Sequence, residues 1–391
     1  MFIAQDEKGK IFSLADYQDK PHELLHVKKS KRFFCPICKN GLELKLGKIR
    51  TFHFAHKKTE SCSYHSELES EEHRNGKLHL YHWLKKQDGV TARLEHYLPD
   101  IMQRPDTYFQ CHNGQFAIEF QCSTIDQTLF RKRTQMYLEK RITPIWIVSS
   151  KYINKSSSTM YRFSPFLWLF LQQAGSSTRI LAYHTSSESL LHLSSIVSFT
   201  KQNAAANMEI IKLSELNITS LLNRQPEFRI PKDWLIRVKN HRLKPTLHET
   251  KEDRNFREKL YIEKQLSIQN LPSKVFIPVM AGYVFENHVF QWQTYILLFL
   301  DKFSLHTSFT TTLISKHLKF LLNKEYLKKR YLINSPDLSL PIRQYLDALC
   351  TFNYLKKTKD NTYIKVKPFD WNDTIDNLLK RDKQILIQKK T

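Results

Sequence analysis

Two short segments decide how this chain is interpreted: Arg104-Pro105-Asp106 and, later, Ala117-Ile118-Glu119-Phe120-Gln121-Cys122-Ser123. Each carries a carboxylate at one end of a short apolar run that is typical of a strand, and His112-Asn113-Gly114-Gln115 between them predicts a hairpin turn with Asn-Gly at its tip. If residues 106–110 and 115–121 pair as antiparallel strands, Asp106 and Glu119 lie side by side. Paired carboxylates provide the hard oxygen ligands that Mg²⁺ or Mn²⁺ requires, so the segments predict a metal site.

Strand alternation extends the prediction to the next polar residue. Glu119 and Gln121 lie on one face of the expected strand and Phe120 on the other. In a metal nuclease, an ion bound by Asp106 and Glu119 would activate water and neutralise charge on the scissile phosphate. Gln121 would act only through hydrogen bonds, whereas a lysine at that position could help to deprotonate the water. The alternative is a surface hairpin with two unrelated acids, which Ile118 and Phe120 disfavour because they predict a buried strand.

A predicted helix comes directly before these strands and carries three more polar candidates. Glu69, His73 and Lys77 are spaced i, i+4 and i+8, which places them on one helix face. Glu69 could complete the metal site, and His73 or Lys77 could contact the phosphate. The alternative is a solvated helix face that is stabilised by interactions between Glu and Lys side chains.

Cysteine and histidine residues are concentrated before this helix. A Cys-x2-Cys motif and a His-x2-His motif place two thiolates and two imidazoles at spacings that match a tetrahedral, structural zinc site, on which so small a domain would depend for its fold. The predicted ligands are Cys35, Cys38, His53 and His56. Cys62 and His65 are substitute ligands. An incidental cysteine pair beside a His-rich loop and a redox Cys-x-x-Cys are the alternatives.

The net charge indicates a polyanionic partner. The 391 residues contain 61 Lys and Arg against 38 Asp and Glu, a formal net charge of +23, and the excess is spread along the chain. Contacts to phosphates release counterions and so favour binding to nucleic acid. Solubility alone and attraction to an anionic membrane are the alternatives, but no basic amphipathic anchor stands out. A basic protein with a carboxylate metal site is expected to cut a phosphodiester backbone.

Composition argues against several other classes. No Gly-x-Ser-x-Gly elbow or Gly-rich phosphate loop occurs among only 8 glycines, so neither an α/β-hydrolase nor an ATPase is supported. The N-terminus has no apolar signal-peptide core, the apolar runs are too short to span a bilayer, and six cysteines in so long a chain do not indicate a disulfide framework. We therefore expect a soluble, cytoplasmic protein.

Periodicity predicts an α/β core with a mixed sheet. The expected order is a helix, three strands, a helix and a buried strand, at residues 67–86, 90–96, 107–110, 116–122, 125–141 and 144–148. Around it we predict four parts: a small β-rich Cys/His domain at 1–65, the core at 66–155, a basic connecting region at 156–285 and a basic, mainly helical domain at 286–391. Further helices are expected at 251–264, 290–300, 313–322 and 341–349. The last of these precedes a lysine-tipped hairpin, which indicates a winged helix-turn-helix, with a plain helical bundle as the alternative.

Taken together and in order, the motifs resemble the competence protein CoiA family. The matching residues cover about residues 1–150 and are Cys35-Pro36-x-Cys38, His53-Phe54-Ala55-His56, Glu69-Ser70-x2-His73-x3-Lys77, Asp106, Glu119-Phe120-Gln121-x-Ser123, Arg133-x3-Tyr137 and Pro144-Ile145-Trp146-Ile147. The resemblance implies a PD-(D/E)XK-type nuclease core, with Pro105-Asp106 and Glu119-x-Gln121 as its signature and Gln121 at the lysine position.

The resemblance also implies residue roles and partners. Glu69, Asp106 and Glu119 would be the ligands of Mg²⁺ or Mn²⁺. The residues that would support the site or contact DNA are Ser123, Arg133 and Tyr137. The expected process is natural transformation, in which incoming single-stranded DNA is processed or recombined into the chromosome, with a recombinase or single-strand-binding protein as a partner.

Three functional hypotheses remain open at this point. The first is a Mg²⁺-dependent DNA nuclease with an N-terminal zinc element and a basic C-terminal region that grips DNA. The second is a non-catalytic DNA-binding or recombination-mediator protein that keeps the nuclease fold as a scaffold, which Gln121 favours. The third is a zinc-containing regulator whose C-terminal winged helix reads duplex DNA. Substitution of Asp106 or Glu119 would separate the first from the second, because only a nuclease loses cleavage while it keeps DNA binding.

Overall fold

Strands and helices alternate along this protein, whose computed structural model describes residues 1–47, 51–57, 69–175, 177–224, 232–244, 250–330, 332 and 336–388. The strands within these residues are β1 (Ile3–Asp6), β2 (Ile11–Ser13), β3 (Phe33–Phe34), β4 (Gly41–Lys45), β5 (His53–His56), β6 (Thr91–Leu94), β7 (Thr107–Cys111), β8 (Gly114–Gln121), β9 (Ile142–Ser149), β10 (Asn154–Lys155), β11 (Met160–Arg162), β12 (Gln172–Ala174), β13 (Ser177–His184), β14 (Ser189–Ser198), β15 (Asn203–Lys212), β16 (Ser308–Thr310), β17 (Leu355–Lys359) and β18 (Thr362–Lys365). The helices are α1 (Pro21–Ser30), α2 (Glu71–Lys85), α3 (Gln127–Glu139), α4 (Pro165–Leu169), α5 (Ile218–Asn223), α6 (Trp234–Leu243), α7 (Lys251–Lys264), α8 (Val289–Asp301), α9 (Thr311–Asn323), α10 (Ser339–Thr351) and α11 (Ile375–Gln388).

These elements belong to two units. The first unit contains Met1–Tyr152, Ile180–His192 and Glu209–Arg224, and the second contains Ile153–Arg179, Leu193–Met208 and Gln225–Thr391. Strands β13, β14 and β15 contribute residues to both units. The four predicted parts, with boundaries at 65, 155 and 285, stay predictions.

The first unit begins with a five-stranded antiparallel sheet in the order β2-β1-β3-β4-β5. Its buried side chains include Phe2, Leu14 and Phe54. Strands β1 to β5 fit the β-rich character predicted for residues 1–65, whereas helix α1 in the same range was not predicted. Pro21 begins that helix, at a position where the backbone N–H would make no hydrogen bond within the helix. Leu24 is the buried residue of the helix.

A mixed sheet forms the centre of the first unit, as the periodicity predicts. Strands β6, β7 and β8 are antiparallel neighbours, β9 runs parallel to β8, and β13 runs parallel to β9. Helix α2 packs on β6, β7 and β8, and α3 packs on β9. Most residues of β8 and β9 are buried on both strand faces, which explains their continuous apolar runs.

Strands β14 and β15 lie in the segment for which the sequence predicts a basic connecting region. Nine of the ten residues of β14 are buried, including Ser189, Ser194 and Ser198. A strand buried on both faces lacks the alternation that marks a half-exposed strand, and its serines suggest a loop instead. Of the described residues between 225 and 275, two stretches form α-helices, α6 and α7, where one polar helix was expected.

In the second unit, α8, α9 and α10 confirm the helices expected at 290–300, 313–322 and 341–349. Strand β16 precedes α9 and pairs with β18, which gives a three-stranded sheet in the order β16-β18-β17. The succession of helix, strand, helix, helix and hairpin differs from a plain helical bundle. Among the described residues, no helix combines the length and the apolar character that crossing a bilayer would need.

Candidate functional site

Helix α2 lies so close to strand β8 that the contact requires a glycine. Ser70 caps the helix by accepting a hydrogen bond from the backbone N–H of His73 (3.1 Å). A Cβ atom at Gly76 would lie 2.2 Å from Cε1 of Phe120, well inside van der Waals contact. The absence of a side chain at Gly76 therefore lets α2 bring its polar residues onto the carboxylate strands.

The register of β7 and β8 places Asp106 opposite Glu119. Thr107 pairs with Ile118, and Asp106 directly precedes this pair on one strand while Glu119 directly follows it on the other. The turn between the strands is formed by residues 112 and 113, so Gly114 begins β8 instead of completing the tip of the turn.

Asp106 is held by donors from both α2 and β8. Its Oδ2 accepts a hydrogen bond from the N–H of Phe120 (2.8 Å) and lies 3.0 Å from Nε2 of His73, and its Oδ1 lies 3.7 Å from Nζ of Lys77. Burial acts to raise the pKa of Asp106, but His73, Lys77 and the Phe120 N–H outweigh it and hold that pKa below its ordinary value. The carboxylate is therefore charged at neutral pH.

Lys77 lies within a buried ionic cluster. Its side chain is 1% exposed, and its Nζ lies 2.5 Å from Oε1 of Glu69 and 2.5 Å from Oε1 of Glu95. Burial disfavours the charged form of Lys77, yet the two glutamates and Asp106 more than offset it and raise the pKa of Lys77. Lys77 is thus a fixed cation that cannot accept a proton from water at neutral pH.

Glu95 belongs to this cluster although no motif in the sequence singles it out. Its carboxylate accepts hydrogen bonds from the N–H groups of Phe2 (2.8 Å) and Ile3 (3.3 Å) and from Lys77. Its backbone φ is +48°, a left-handed conformation that costs a non-glycine residue about 1–2 kcal/mol. The sequence signal is a single acid after a short strand, which is too common to identify a site.

Glu119 contacts a different set of donors. Arg133 and Tyr137, both on α3, donate to its Oε1, with the tyrosine hydroxyl at 2.5 Å. Burial raises the pKa of Glu119 above its ordinary value, and the charge of Asp106 adds to this effect while Arg133 and Tyr137 oppose it. Two of the three residues predicted to support the site therefore contact a predicted metal ligand.

Gln121 and Ser123, the remaining predicted residues, contact each other. Nε2 of Gln121 donates to the carbonyl oxygen (3.0 Å) and to the hydroxyl (3.3 Å) of Ser123. These bonds hold the end of β8 to the loop that follows it. Gln121 would have to leave Ser123 before its amide could orient a water molecule.

Three side chains are close enough to bind one metal ion together. Ligand atoms of Glu69, His73 and Asp106 all lie within 4.8 Å of one another. Glu69 and Asp106 are predicted magnesium ligands, whereas the third predicted ligand, Glu119, is outside this group as far as the described residues show. The two carboxylates suit Mg²⁺ or Mn²⁺, and the imidazole favours Mn²⁺ over Mg²⁺, which prefers oxygen ligands. The ammonium of Lys77 contacts Glu69 and Asp106, so it competes with a metal for the same oxygens.

A second group of ligand atoms lies in the N-terminal sheet. Cys35 and Cys38 come directly after β3, and His56 ends β5. Their ligand atoms lie within 4.8 Å of one another, and Sγ of Cys38 is 3.3 Å from Nε2 of His56. Two thiols and one imidazole at these distances fit three of the four positions of a zinc site.

His53 is outside this second group, as judged from the described part of the sheet. Alternation along β5 turns His53 and His56, three residues apart, to opposite faces of the strand. Nδ1 of His53 lies 2.9 Å from the carbonyl oxygen of Thr51. The substitute ligands Cys62 and His65 lie outside the described residues.

Comparisons with known proteins cover most of the chain. Residues 16–65, 69–226 and 230–379 match the families described as Competence protein CoiA, N-terminal domain, nuclease-like domain and C-terminal domain, respectively. The chain is 31% identical over 362 residues to Competence protein CoiA of Bacillus subtilis (strain 168), an alignment that spans 92% of this chain and 96% of the relative. No solved structure matches the chain.

Proposed function

Because the chain belongs to the competence protein CoiA family, we propose that it is a metal-dependent DNA nuclease that acts on incoming DNA during natural transformation. The observation that carries the proposal is the group formed by Glu69, His73 and Asp106, with Glu119 opposite Asp106, inside a nuclease-like domain. The assignment of this domain to the PD-(D/E)XK type is part of the proposal. It is supported by the succession of α2, the β7–β8 hairpin, α3 and β9.

The chemistry of the site follows from its charges. A Mg²⁺ or Mn²⁺ ion held by Glu69, His73 and Asp106 would neutralise charge on the scissile phosphate and lower the pKa of a bound water. Lys77, as a fixed cation, can stabilise negative charge but cannot act as the base. Glu119 has a raised pKa, so it binds a proton more readily than an ordinary carboxyl group and suits an acid–base role, and α3 holds its carboxylate in place.

The proposal includes the location and the partners of the protein. The net charge of +23 favours an extended polyanion, so single-stranded DNA and recombination intermediates are the proposed substrates. We place the protein in the cytoplasm, where incoming DNA meets the chromosome. Recombination and competence proteins are the proposed partners.

The direct test is cleavage of labelled single-stranded, duplex and branched DNA with Mg²⁺ or Mn²⁺. Asp106→Asn and Glu119→Gln should each lower the rate at least about 100-fold and leave DNA affinity largely intact, because the first removes a proposed metal ligand and the second a proposed acid–base group. Asp88→Asn and Glu139→Gln make the same chemical changes at exposed positions of the same unit and should retain wild-type rates. A wild-type protein that cuts none of the three DNA forms would contradict the proposal.

A second candidate function, a non-catalytic DNA-binding scaffold, is favoured by the pairing of charges. Lys77 pairs with Glu69 and Glu95, and the N-terminal amine also pairs with Glu69. Arg133 contacts Glu119, so these acids are stabilised without a metal. The hydrogen bonds between Gln121 and Ser123 also favour the scaffold, because they occupy the amide that would orient a water molecule. This candidate predicts salt-sensitive DNA binding that Asp106→Asn leaves unchanged, with no cleavage by the wild type.

We also propose a structural zinc ion at Cys35, Cys38 and His56. The support is the convergence of these three ligands on one point of a small sheet. The zinc content of the purified full-length protein should be close to one per chain, and Cys38→Ser should lower it strongly. Cys350→Ser, at a half-buried cysteine of the second unit, should leave it unchanged. Equal zinc in both variants, or none in the wild type, would contradict this assignment.

A winged helix is the proposed fold of α8 to β18. The order of its elements and the sheet order β16-β18-β17 support it. Two contacts occupy α10, the helix that would enter a DNA groove: Oε1 of Gln344 accepts the N–H of Ala281 (2.8 Å), and Oδ1 of Asp347 lies 3.0 Å from Nζ of Lys357. A regulator that reads duplex sequence through α10 is therefore disfavoured.

A further inference from the structure

The second unit contains a cavity with an excess of positive charge. Its volume is about 350 Å³, within the range of ligand pockets. Lys274, Lys367 and Arg381 line it, together with a single acid, Asp370. The aromatic residues of its wall are Phe352, Tyr354 and Phe369.

The two lysines of the cavity rest on aromatic rings and not on carboxylates. Nζ of Lys274 lies 4.0 Å from the ring centroid of Phe352 and 5.4 Å from that of Tyr354, and Nζ of Lys367 lies 5.0 Å from the same tyrosine centroid. Among the residues that the structure describes, neither ammonium forms an ion pair. Both are therefore available to an external anion.

The acid of the cavity is already neutralised. Oδ2 of Asp370 accepts a hydrogen bond from the hydroxyl of Tyr354 (2.9 Å) and lies 3.3 Å from Nη1 of Arg381. Its charge also acts on Lys274 and opposes the lowering of the pKa of that lysine, but among the described residues it forms no ion pair with Lys274 or Lys367.

A second acid influences Lys274 from a distance and is also paired. Oδ2 of Asp382 lies 2.6 Å from Nε of Arg242, and this ion pair is fully buried. Burial, followed by the charges of Lys367 and Arg381, lowers the pKa of Lys274 to about 8. Like charges that crowd a half-buried lysine are stabilised when an anion binds between them.

We infer that this cavity binds a phosphate group, carried either by a DNA strand or by a free nucleotide. The two ammonium groups supply donors of the kind that phosphate oxygens require. The guanidinium of Arg381 is paired with Asp370 and Asp373 and contributes less. The volume admits a group of nucleotide size. The inference goes beyond the proposed nuclease activity and does not depend on it, because every lining residue lies in the second unit, away in sequence from Glu69, Asp106 and Glu119.

The test compares two double variants of the full-length protein. Lys274→Gln with Lys367→Gln removes the two unpaired cations of the cavity. Lys239→Gln with Lys316→Gln makes the same change in net charge at two exposed lysines that do not line it. Binding of a fluorescent oligothymidylate is measured by anisotropy over a salt series, and binding of dTMP and of inorganic phosphate is measured by calorimetry.

The cavity variant should bind the oligothymidylate at least about 10-fold more weakly at low salt, and its salt slope should be smaller by about 1, because phosphate contacts are lost. The control variant should keep the wild-type slope. Lys274→Arg with Lys367→Arg should restore binding, which excludes a folding defect as the cause. If wild type also binds dTMP and phosphate, and only the cavity variant loses this binding, the phosphate group belongs to a free nucleotide. If only strand binding is lost, the phosphate group belongs to DNA.

A chemical footprint locates the ligand independently. Reductive methylation followed by mass spectrometry should show Lys274 and Lys367 protected by the oligothymidylate or by dTMP, and Lys239 unprotected. The inference would be overturned if the two double variants lost affinity equally, or if neither lost affinity for the oligothymidylate, dTMP or phosphate. Equal protection of all three lysines would also overturn it. None of these outcomes bears on cleavage at the acidic cluster, so the two proposals can fail separately.

Discussion

Lys77 is buried and Lys274 is half-buried, and the charges around the two lysines have opposite sign. Lys77 lies 2.5 Å from each of two glutamate oxygens, which raise its pKa although it is buried. Lys274 lies on an aromatic ring and faces other cations, and its pKa is lowered to about 8. Lys77 forms ion pairs with carboxylates of its own chain. Lys274 forms no ion pair among the described residues.

The comparison teaches how to separate structural charge from charge that awaits a ligand. A buried cation with carboxylate partners is needed for the fold, because its removal leaves those carboxylates unpaired. A cation without partners can be removed at little cost in stability, and its loss should appear in binding. Substitution of each kind of lysine, with stability and binding measured side by side, separates the two.

Lys77→Met should lower the free energy of unfolding by about 3–5 kcal/mol, because it removes a buried cation that lies 2.5 Å from both Glu69 and Glu95. Glu69 then keeps the N-terminal amine at 3.2 Å, and Glu95 keeps the more distant Arg104 at 4.0 Å. Chemical denaturation of the full-length protein measures the change. Lys85→Met is the matched control on the same helix, because its ion pair with Asp16 is solvent-exposed, and it should cost at most about 1 kcal/mol. Equal losses in the two variants would show that burial of the cluster does not matter.

Glu95→Gln should cost about 1.5–3 kcal/mol at pH 7, because a hydrogen bond to a charged group is lost. Lys77, Arg104 and the N-terminal amine outweigh burial and lower the pKa of Glu95 below its ordinary value of 4.5. The stabilisation is therefore complete above that pH and is lost as the pH falls through the lower, folded-state value. The stability difference between wild type and variant should narrow on acidification below pH 4.5, and a difference independent of pH would contradict this origin.

Gly76→Ala should cost about 1–3 kcal/mol, because the new methyl group would collide with the ring of Phe120 and push α2, with Lys77, away from β8. Gly41→Ala is the control, since no atom lies within 4 Å of a Cβ at that position. The measurement is again denaturant unfolding. A variant at position 76 as stable as the control would mean that the close approach of α2 is not required.

Lys274→Gln should change the free energy of unfolding by less than about 1 kcal/mol, since the lost contact with Phe352 is offset by relief of repulsion from Lys367 and Arg381. Lys239→Gln provides the exposed reference. A loss of unfolding free energy as large as that of Lys77→Met would show that the fold needs Lys274 as much as it needs Lys77.

Local sequence patterns predicted the elements that surround the acidic cluster. The two carboxylates at the ends of apolar runs, with an Asn-Gly turn between them, led to the β7–β8 hairpin and so to Asp106 opposite Glu119. The helical spacing placed His73 and Lys77 on one face of α2, and that face meets the hairpin. These are short-range relations, which periodicity encodes directly. The prediction was wrong for Glu69, because Ser70 is the N-cap and α2 begins at Glu71, so Glu69 contacts Lys77 from the segment before the helix.

Contacts between residues distant in sequence could not be predicted in this way. Glu95 joins the cluster through Lys77 and two N-terminal N–H groups, and no spacing rule links these residues. His53 faces away from His56 because residues 53–56 form a strand and not a turn. Strand β14 was missed since burial on both faces removes its alternation.

The proposed nuclease activity requires that Glu69, His73 and Asp106 hold a divalent cation although Lys77 contacts two of them. Titration of the zinc-loaded, full-length protein with Mn²⁺, followed by electron paramagnetic resonance in the absence of DNA, tests it most directly. The account predicts one Mn²⁺ site that Asp106→Asn abolishes and Asp88→Asn retains. A wild-type protein that binds no Mn²⁺, or binds it equally well after Asp106→Asn, would contradict the metal-dependent centre and favour the scaffold.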